Sequence, residues 1–558
     1  LFRTVALSST GFTPAMSAYS RIDWSRDRIL DGAAVATLAA IAAVAAVTFR
    51  QYGLGWDDYT HAEYGDLLLS LYGSGFTDRR ALSFVNLYMY GGGFDMLAAL
   101  AAKVLPFDLF ETRRLIGAAI GLVGLFATWR LARRLGGAAA GLAGLILLAS
   151  CPHYYGHMFM NPKDAPFAVA MTILLLGLVR ALHEYPRPAP VTVGLFGIGL
   201  GLTVGSRILG GIGCLYALPA LMFLIGAEAR ALGARVAATR MLRFGLVMLP
   251  GFILAYLAMG LAWPWSVLEP LNPLRAVGYF SHFFERPWKE MFDGALLSVP
   301  EMPRTYVPTL FALQMPEAML VLGIGGTAGA FAAAARRELP APARAALVLV
   351  AVAATLPIAI AVVMRPAMYN GIRHFVFVTP PLAVLGGLAA AFLIDRVRAF
   401  GRAAVATGVA ALVAGGALPL IDMVRLHPYQ YTYFNQLAGG VRAADERYMI
   451  DYWGLAFKQA AQELRARLAE RHESPPSDRR WRVAVCGPAR SAAVELGPQF
   501  QTSFDPKGAD FALMLGEFYC ADINAPILVE IKREGVAYAR VYDVRGRAVL
   551  GLVTIPPP

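Results

Sequence analysis

Eleven stretches of this chain are apolar over about the 17–25 residues that a helix needs to cross a bilayer. They lie approximately at 30–49, 115–133, 137–153, 165–182, 190–205, 208–227, 244–264, 312–334, 344–364, 375–394 and 403–421. Inside hydrocarbon a backbone must satisfy its own hydrogen bonds, so each run is predicted to be a helix. The content of 57% hydrophobic and 16% charged residues agrees that the solvent is lipid. A net charge of +12 in a soluble chain would suggest a nucleic-acid partner. Here the arginines gather in short segments between apolar runs, where they set orientation, and no nucleic-acid partner is expected.

Those basic segments hold Arg130, Arg133 and Arg134; Arg180 and Arg187; Arg230, Arg235, Arg240 and Arg243; Arg336, Arg337 and Arg344; and Arg396, Arg398 and Arg402. All share one side with Arg3, Arg21, Arg26 and Arg28 if the N-terminus is cytoplasmic. An odd number of spans then puts the C-terminus outside. The runs at 137–153 and 190–205 are short, and one helix added or lost there would reverse everything downstream. No small-residue cleavage site marks the first run as a removed signal, so it is read as a retained helix. The expected organisation is a cytoplasmic segment 1–29, a membrane domain 30–424 with outer loops 51–114, 153–164 and 265–308, and an outer domain 425–558.

The tail reads as a small α/β domain, with a helix near 455–470 and strands near 481–486, 510–515, 527–532 and 537–542. Its Tyr-rich start, His427 to Asn435, either stacks on glycan or packs under the membrane domain. Glu473-Ser474-Pro475-Pro476-Ser477 reads as a linker. Of the four cysteines, Cys151 and Cys214 lie in apolar runs as packing groups, while Cys486 and Cys520 form either one disulfide or two free thiols.

The outer loops are too long and polar for simple turns, and they carry the candidate chemistry. The first opens Gly55-Trp56-Asp57-Asp58-Tyr59-Thr60-His61-Ala62-Glu63-Tyr64, adjacent carboxylates just past a span. Either one caps the next helix, or a partly desolvated carboxylate serves as a general base. In the second loop, Asp164 precedes a helix whose first turn suits Pro166, which again allows a cap. His153, His157 and Asp164 together also allow a metal reading. Arg207, flanked by Gly205 and Gly210, either snorkels to the interface or binds an anion such as phosphate, and Arg373 with His374 forms a similar basic spot. The third loop mixes aromatics with charge, as interfacial segments do: Trp263, Trp265, Phe280, His282, Glu285 and Trp288.

Taken in order, these features resemble the GT-C membrane glycosyltransferases, and among them the family of protein O-mannosyltransferases and lipid A aminoarabinose transferases. Asp57-Asp58 followed by His61-Ala62-Glu63 is similar to that family's acidic pair, aromatic and Ala-Glu, with Asp in place of the usual Glu and His in place of the aromatic. Arg113-Arg114-Leu115, Asp164-Ala165-Pro166 and Arg207 continue the pattern, over roughly the first 210 residues.

The resemblance implies a GT-C-like all-α polytopic membrane domain with a small C-terminal α/β domain. It also implies inverting transfer of a sugar from a polyprenyl-phosphate donor to a lipid, glycan or protein acceptor on the periplasmic face. Asp57 would be the base, with Asp58 and Asp164 positioning acceptor, sugar or base. Arg207, Arg373 and Lys163 would face the donor phosphate, and His61, Glu63, His157 and His374 would position acceptor or sugar. Some relatives use a divalent metal and others do not, so that cofactor stays open. Ala/Arg-rich usage fits a bacterium of high genomic GC content, hence an inner-membrane location. A transporter or lipid flippase is the rival class, but it would place charge in mid-span or repeat broken helices. A polysaccharide polymerase or ligase is the other rival, and it would not need Asp57.

Overall fold

A computed structural model describes residues 24–281 and 288–554 of the chain. Arg3, Arg21, His282 and Glu285 lie outside the described residues. The helices of the first half are α1 (Trp24–Thr48), α2 (Asp58–Gly73), α3 (Gly93–Ala102), α4 (Leu109–Ala149), α5 (Pro152–Met160), α6 (Asp164–His183), α7 (Pro190–Ser206), α8 (Ile212–Leu232), α9 (Ala234–Ala262) and α10 (Asn272–Ser281). A hairpin of β1 (Lys289–Phe292) and β2 (Ala295–Ser298) precedes α11 (Tyr306–Gln314), α12 (Glu317–Ala335), α13 (Ala341–Met364), α14 (Thr379–Val397) and α15 (Arg402–Leu426).

Among the described residues, nine helices are long and apolar enough to cross a membrane by length and composition alone. One of them is α4, where the chain reverses at Gly137 (φ 81°, ψ −174°), a conformation that favours glycine. The chain after that turn runs back along the chain before it. A Cβ on Gly144 would stand 3.1 Å from that of Ala132, and Tyr154 Oη donates to the Gly121 carbonyl at 2.8 Å. The apolar runs 115–133 and 137–153 are therefore two arms of a helical hairpin. With α7, an apolar helix of 17 residues, every one of the eleven runs is helical.

Of the boundaries that differ from the sequence expectation, two have a clear local cause. The run at 312–334 breaks at Met315-Pro316, because proline has no N–H to continue the helix and pushes its predecessor to extended backbone (Met315 φ −96°, ψ 144°). In addition, α9 begins at Ala234 instead of 244, since its Ala/Arg-rich first turns favour helix beyond the apolar stretch.

The basic segments meet at one end of the bundle, where Arg133 pairs with Asp31 and Arg134 with Glu184. A rise of about 1.5 Å per residue puts Arg133 about 28 Å along α4 from Arg114, close to the thickness of a hydrocarbon core. At the opposite end the loops that hold Asp57, Lys163 and Trp288 converge with the tail.

After α16 (Gly440–Ala444) and α17 (Phe457–Glu470) come β3 (Trp481–Cys486), α18 (Ala489–Leu496), β4 (Phe500–Ser503), β5 (Phe511–Leu515), β6 (Ile527–Arg533) and β7 (Val536–Asp543). The sheet order is β4-β3-β5-β7-β6, parallel across β4, β3 and β5 and antiparallel beyond. Cys486 and Cys520 form a disulfide, and Cys151 is buried and free. The Glu473–Ser477 stretch joins α17 to β3 inside this domain, so it does not separate the domain from the membrane part. The Tyr-rich start is a buried wedge between the two. Asn435 Nδ2 donates to the Met315 carbonyl at 2.8 Å, and Thr432 Oγ1 bonds Tyr538 Oη at 2.7 Å.

Candidate active site

The convergent end holds a cavity of about 360 Å³ lined by Asp57, His61, Lys163 and Arg373, with aromatic walls that include Tyr369 and Trp453. Asp57 precedes α2 but makes no capping bond to it, so the capping alternative does not hold for this residue. Its carboxylate faces Lys163 Nζ at 3.2 Å and remains 37% exposed. Partial withdrawal from water pushes its pKa up, but Lys163, His61 and Arg373 outweigh that and hold the group below the ordinary carboxylate range. Asp57 is therefore ionised and in contact with the cavity.

Asp58 points away from the cavity. It is buried, with Oδ1 and Oδ2 each 2.7 Å from the Arg114 guanidinium, and Oδ2 also accepts from Gly55 N at 2.8 Å. It positions the loop that presents Asp57. Removing one partner from a buried pair strands the other charge, so Asp58→Ala should cost about 3–5 kcal/mol of stability, and Asp58→Ala/Arg114→Met should recover part of that. Thermal unfolding in detergent checks both.

Asp164 is also buried and sits behind Lys163. Arg207 Nη2 lies 2.5 Å from Oδ1, and Asn161 Nδ2 donates to Oδ2 at 2.8 Å. The capping group here is Asn161, whose Oδ1 accepts from the backbone N of Lys163 (3.0 Å) and Asp164 (2.8 Å). Arg207 is thus committed to Asp164 and does not line the cavity, contrary to the donor-phosphate role expected for it.

Arg373 presents the opposite situation. It is 5% exposed, its guanidinium lies between the rings of Tyr369 (4.8 Å) and Trp453 (5.0 Å), and its Nε has no hydrogen-bond partner. Among the described residues no carboxylate forms an ion pair with it. A buried, permanently charged group that no carboxylate contacts directly, on a cavity wall, is suited to meet an anion.

His61 lies one helical turn after Asp57. Its Nδ1 bonds Asp95 Oδ2 at 2.6 Å, while Asp95 Oδ1 takes Arg113 Nη2 at 2.6 Å. That fixes the ring of a residue that lines the cavity, and its buried Nε2 has no hydrogen-bond partner among the described residues. Glu63 is not brought in. Two residues beyond His61 is about 200° around the helix, and Glu63 is exposed on the far face of α2.

His157 is buried outside the cavity. Burial, then His153, hold its pKa well below the ordinary imidazole range. The neutral ring accepts from Asn161 Nδ2 (3.1 Å) and donates from Nε2 to Tyr452 Oη (3.0 Å). It anchors the tail segment Tyr452-Trp453 and does not touch the cavity. His374 packs edge-on against Tyr369 at 4.9 Å, behind Arg373.

Among the described residues no three His, Cys, Asp or Glu side chains converge as metal ligands. Asp57 and Asp164 each already face a cation, and His153 meets His157 edge-on at 4.6 Å, so the metal reading of His153, His157 and Asp164 is not supported.

Three contributors were missed in the sequence. Asp95 carries no local signal. Trp453 arrives from a distant part of the chain. Glu290, on β1, had a legible cue in the Asp293-Gly294 turn, whose residues both have positive φ. Buried Glu290 accepts from Tyr306 Oη (2.8 Å) and Asn370 N (2.7 Å), and so holds the positive-φ turn Asn370-Gly371 between Tyr369 and Arg373. Burial pushes its pKa up to about 7, against weaker opposition from those donors. A raised carboxyl pKa means that the folded state binds the proton more tightly than the unfolded chain. The contribution is full below the unfolded value near 4.5 and is lost as pH rises through about 7. Glu290→Gln should flatten stability between those limits relative to wild type, by up to about 3 kcal/mol in detergent melts over pH.

Residues 93–256, under a third of the chain, match the family model described as dolichyl-phosphate-mannose-protein mannosyltransferase. That segment holds Asp95, Arg113, Lys163, Asp164 and Arg207, and the match agrees with the resemblance carried by the motifs. No curated protein matches the chain. Among solved structures, ArnT from Cupriavidus metallidurans bound to undecaprenyl phosphate is similar with TM-score 0.48 at 15% identity, covering 91% of this chain and 97% of that one. The apo oligosaccharyltransferase of Archaeoglobus fulgidus has TM-score 0.46 at 14% identity, covering 85% of this chain and 65% of its own length, just under two thirds. The same organism's AglB in complex with an inhibitory peptide and a dolichol-phosphate has TM-score 0.45 at 12% identity, covering 87% and 69%.

Proposed function

We propose that this chain is an integral membrane glycosyltransferase that moves a sugar from a polyprenyl-phosphate donor to an envelope acceptor, with inversion, on the periplasmic face. The observation that carries the reading is Arg373, a buried cation that no carboxylate contacts directly among the described residues, set in the same cavity as the ionised Asp57. The acceptor is a hydroxyl or amine of lipid, glycan or protein. Its heteroatom attacks the anomeric carbon as its proton passes to Asp57, and the carbon–oxygen bond to the phosphate breaks with the electron pair leaving on the phosphate. Arg373, with Lys163, stabilises that charge. His61 Nε2 contacts acceptor or sugar.

A carboxylate held low by Lys163 is a weak proton acceptor. Donor binding gives Lys163 a phosphate to face and returns Asp57 toward ordinary basicity, so the base strengthens only with donor in place. The deciding experiment measures transfer of labelled sugar from synthetic polyprenyl-phosphate donors to membrane acceptors, wild type against Asp57→Asn. Transfer from no donor, or transfer unaffected by the substitution, overturns the reading.

A further inference from the structure

At the end of the bundle opposite the cavity, Arg130, Arg133 and Arg134 of α4 and Arg180 of α6 line one pocket of about 480 Å³. Its remaining wall is apolar, made by Phe126, Leu176 and Leu195. Among the described residues, two carboxylates form ion pairs with these arginines. Asp31 takes Arg133 through two bonds of 2.6 Å. Glu184 is shared by Arg134 (3.3 Å) and Arg180 (3.6 Å), and its second oxygen accepts from Ala189 N at 2.9 Å. Arg130 has no carboxylate partner among the described residues, and its guanidinium rests over Trp129 at 5.4 Å. Among the described residues the four arginines outnumber the carboxylates that pair with them, with Asp27 acting on Arg133 from farther off.

Arg130, Arg133 and Arg134 share one face of α4 by their spacing, but Arg180 of α6 is brought against that face although like charges repel. A pocket that gathers them needs an anion. Its depth says which kind: Arg180 is about 24 Å along α6 from Asp164, at the far boundary of the hydrocarbon layer. An apolar wall joined to a cationic mouth at that level suits a molecule with an anionic head and an acyl chain.

We propose that this pocket binds the headgroup of an anionic phospholipid, with the phosphate on Arg130 and Arg180 and an acyl chain along Phe126, Leu176 and Leu195. The site is independent of the catalytic reading and stands or falls without it.

Native mass spectrometry of the full chain in detergent tests this, with phosphatidylglycerol, phosphatidylcholine of the same acyl chains, or inorganic phosphate added. Phosphatidylglycerol should be retained in preference to phosphatidylcholine, and phosphate should not displace it. Arg130→Gln/Arg180→Gln should weaken retention about tenfold or more, and Arg130→Lys/Arg180→Lys should keep most of it. Equal retention of both lipids, or unchanged retention in the glutamine variant, would overturn the proposal. Full displacement by phosphate would mark a free-anion site and overturn the lipid assignment. The lipid and phosphate comparisons on wild type, with the lysine variant, decide the matter even where the glutamine variant fails to fold.

Discussion

Asp57→Asn is expected to lower sugar transfer by about 10²–10⁴-fold, the usual contribution of a positioned general base, while leaving the fold in place. The side chain keeps its shape and loses only its charge and its capacity to take a proton. Its one ion pair, to Lys163, involves a carboxylate that is 37% exposed, and a pair of that kind contributes within about 1 kcal/mol. Melting in detergent should therefore barely move. Donor affinity should hold or rise, because Lys163 is released to face the donor phosphate. The combination separates a base from a structural residue: a large loss in turnover, little change in stability and no loss of donor binding. Parallel losses of stability and transfer would return Asp57 to a structural role.

Different parts of the molecule were unequally legible in the sequence, and the reasons are physical. The membrane helices could be read because hydrocarbon imposes one rule on every spanning residue, and even the reversal at Gly137 showed as a gap between runs. Lys163, Asp57 and Arg373 stood out because charge at the end of a span is conspicuous. What such charges face could not be read. Arg207 and Arg373 look alike in sequence, yet one pairs directly with Asp164 and the other has no carboxylate in contact among the described residues. Asp95 sits in an unremarkable Gly-Phe-Asp-Met stretch and gains its role only when α3 packs beside α2 and α4. Glu63 failed for a simpler reason, because motif spacing does not say which face of a helix meets the cavity. Trp453 comes from the tail, and the contact that places it, Trp56 N to the Trp453 carbonyl at 3.2 Å, joins residues nearly 400 positions apart.

Arg373→Met is expected to move activity far more than stability. The guanidinium is 5% exposed and no carboxylate among the described residues contacts it directly, so the fold bears its desolvation and recovers the attraction of two aromatic faces and of the more distant Asp57 and Asp164. Each face returns about 0.5–2 kcal/mol, whereas a buried ion costs several kcal/mol. Methionine fills similar space between Tyr369 and Trp453 and loses both the desolvation cost and the attraction of Asp57 and Asp164, so melting should change by no more than about 1–2 kcal/mol equivalent. Transfer should fall about 10²–10³-fold, because the leaving phosphate loses its preorganised cation. Arg373→Lys keeps the charge but not the flat surface that stacks between the rings, and should fall between the two. A donor phosphate should raise the melting point of wild type and leave Arg373→Met unmoved, since a ligand stabilises only the state that binds it. If Arg373→Met instead melts far lower and still transfers sugar, the guanidinium belongs to the packing of the tail, and the anion site must be sought at Lys163 alone.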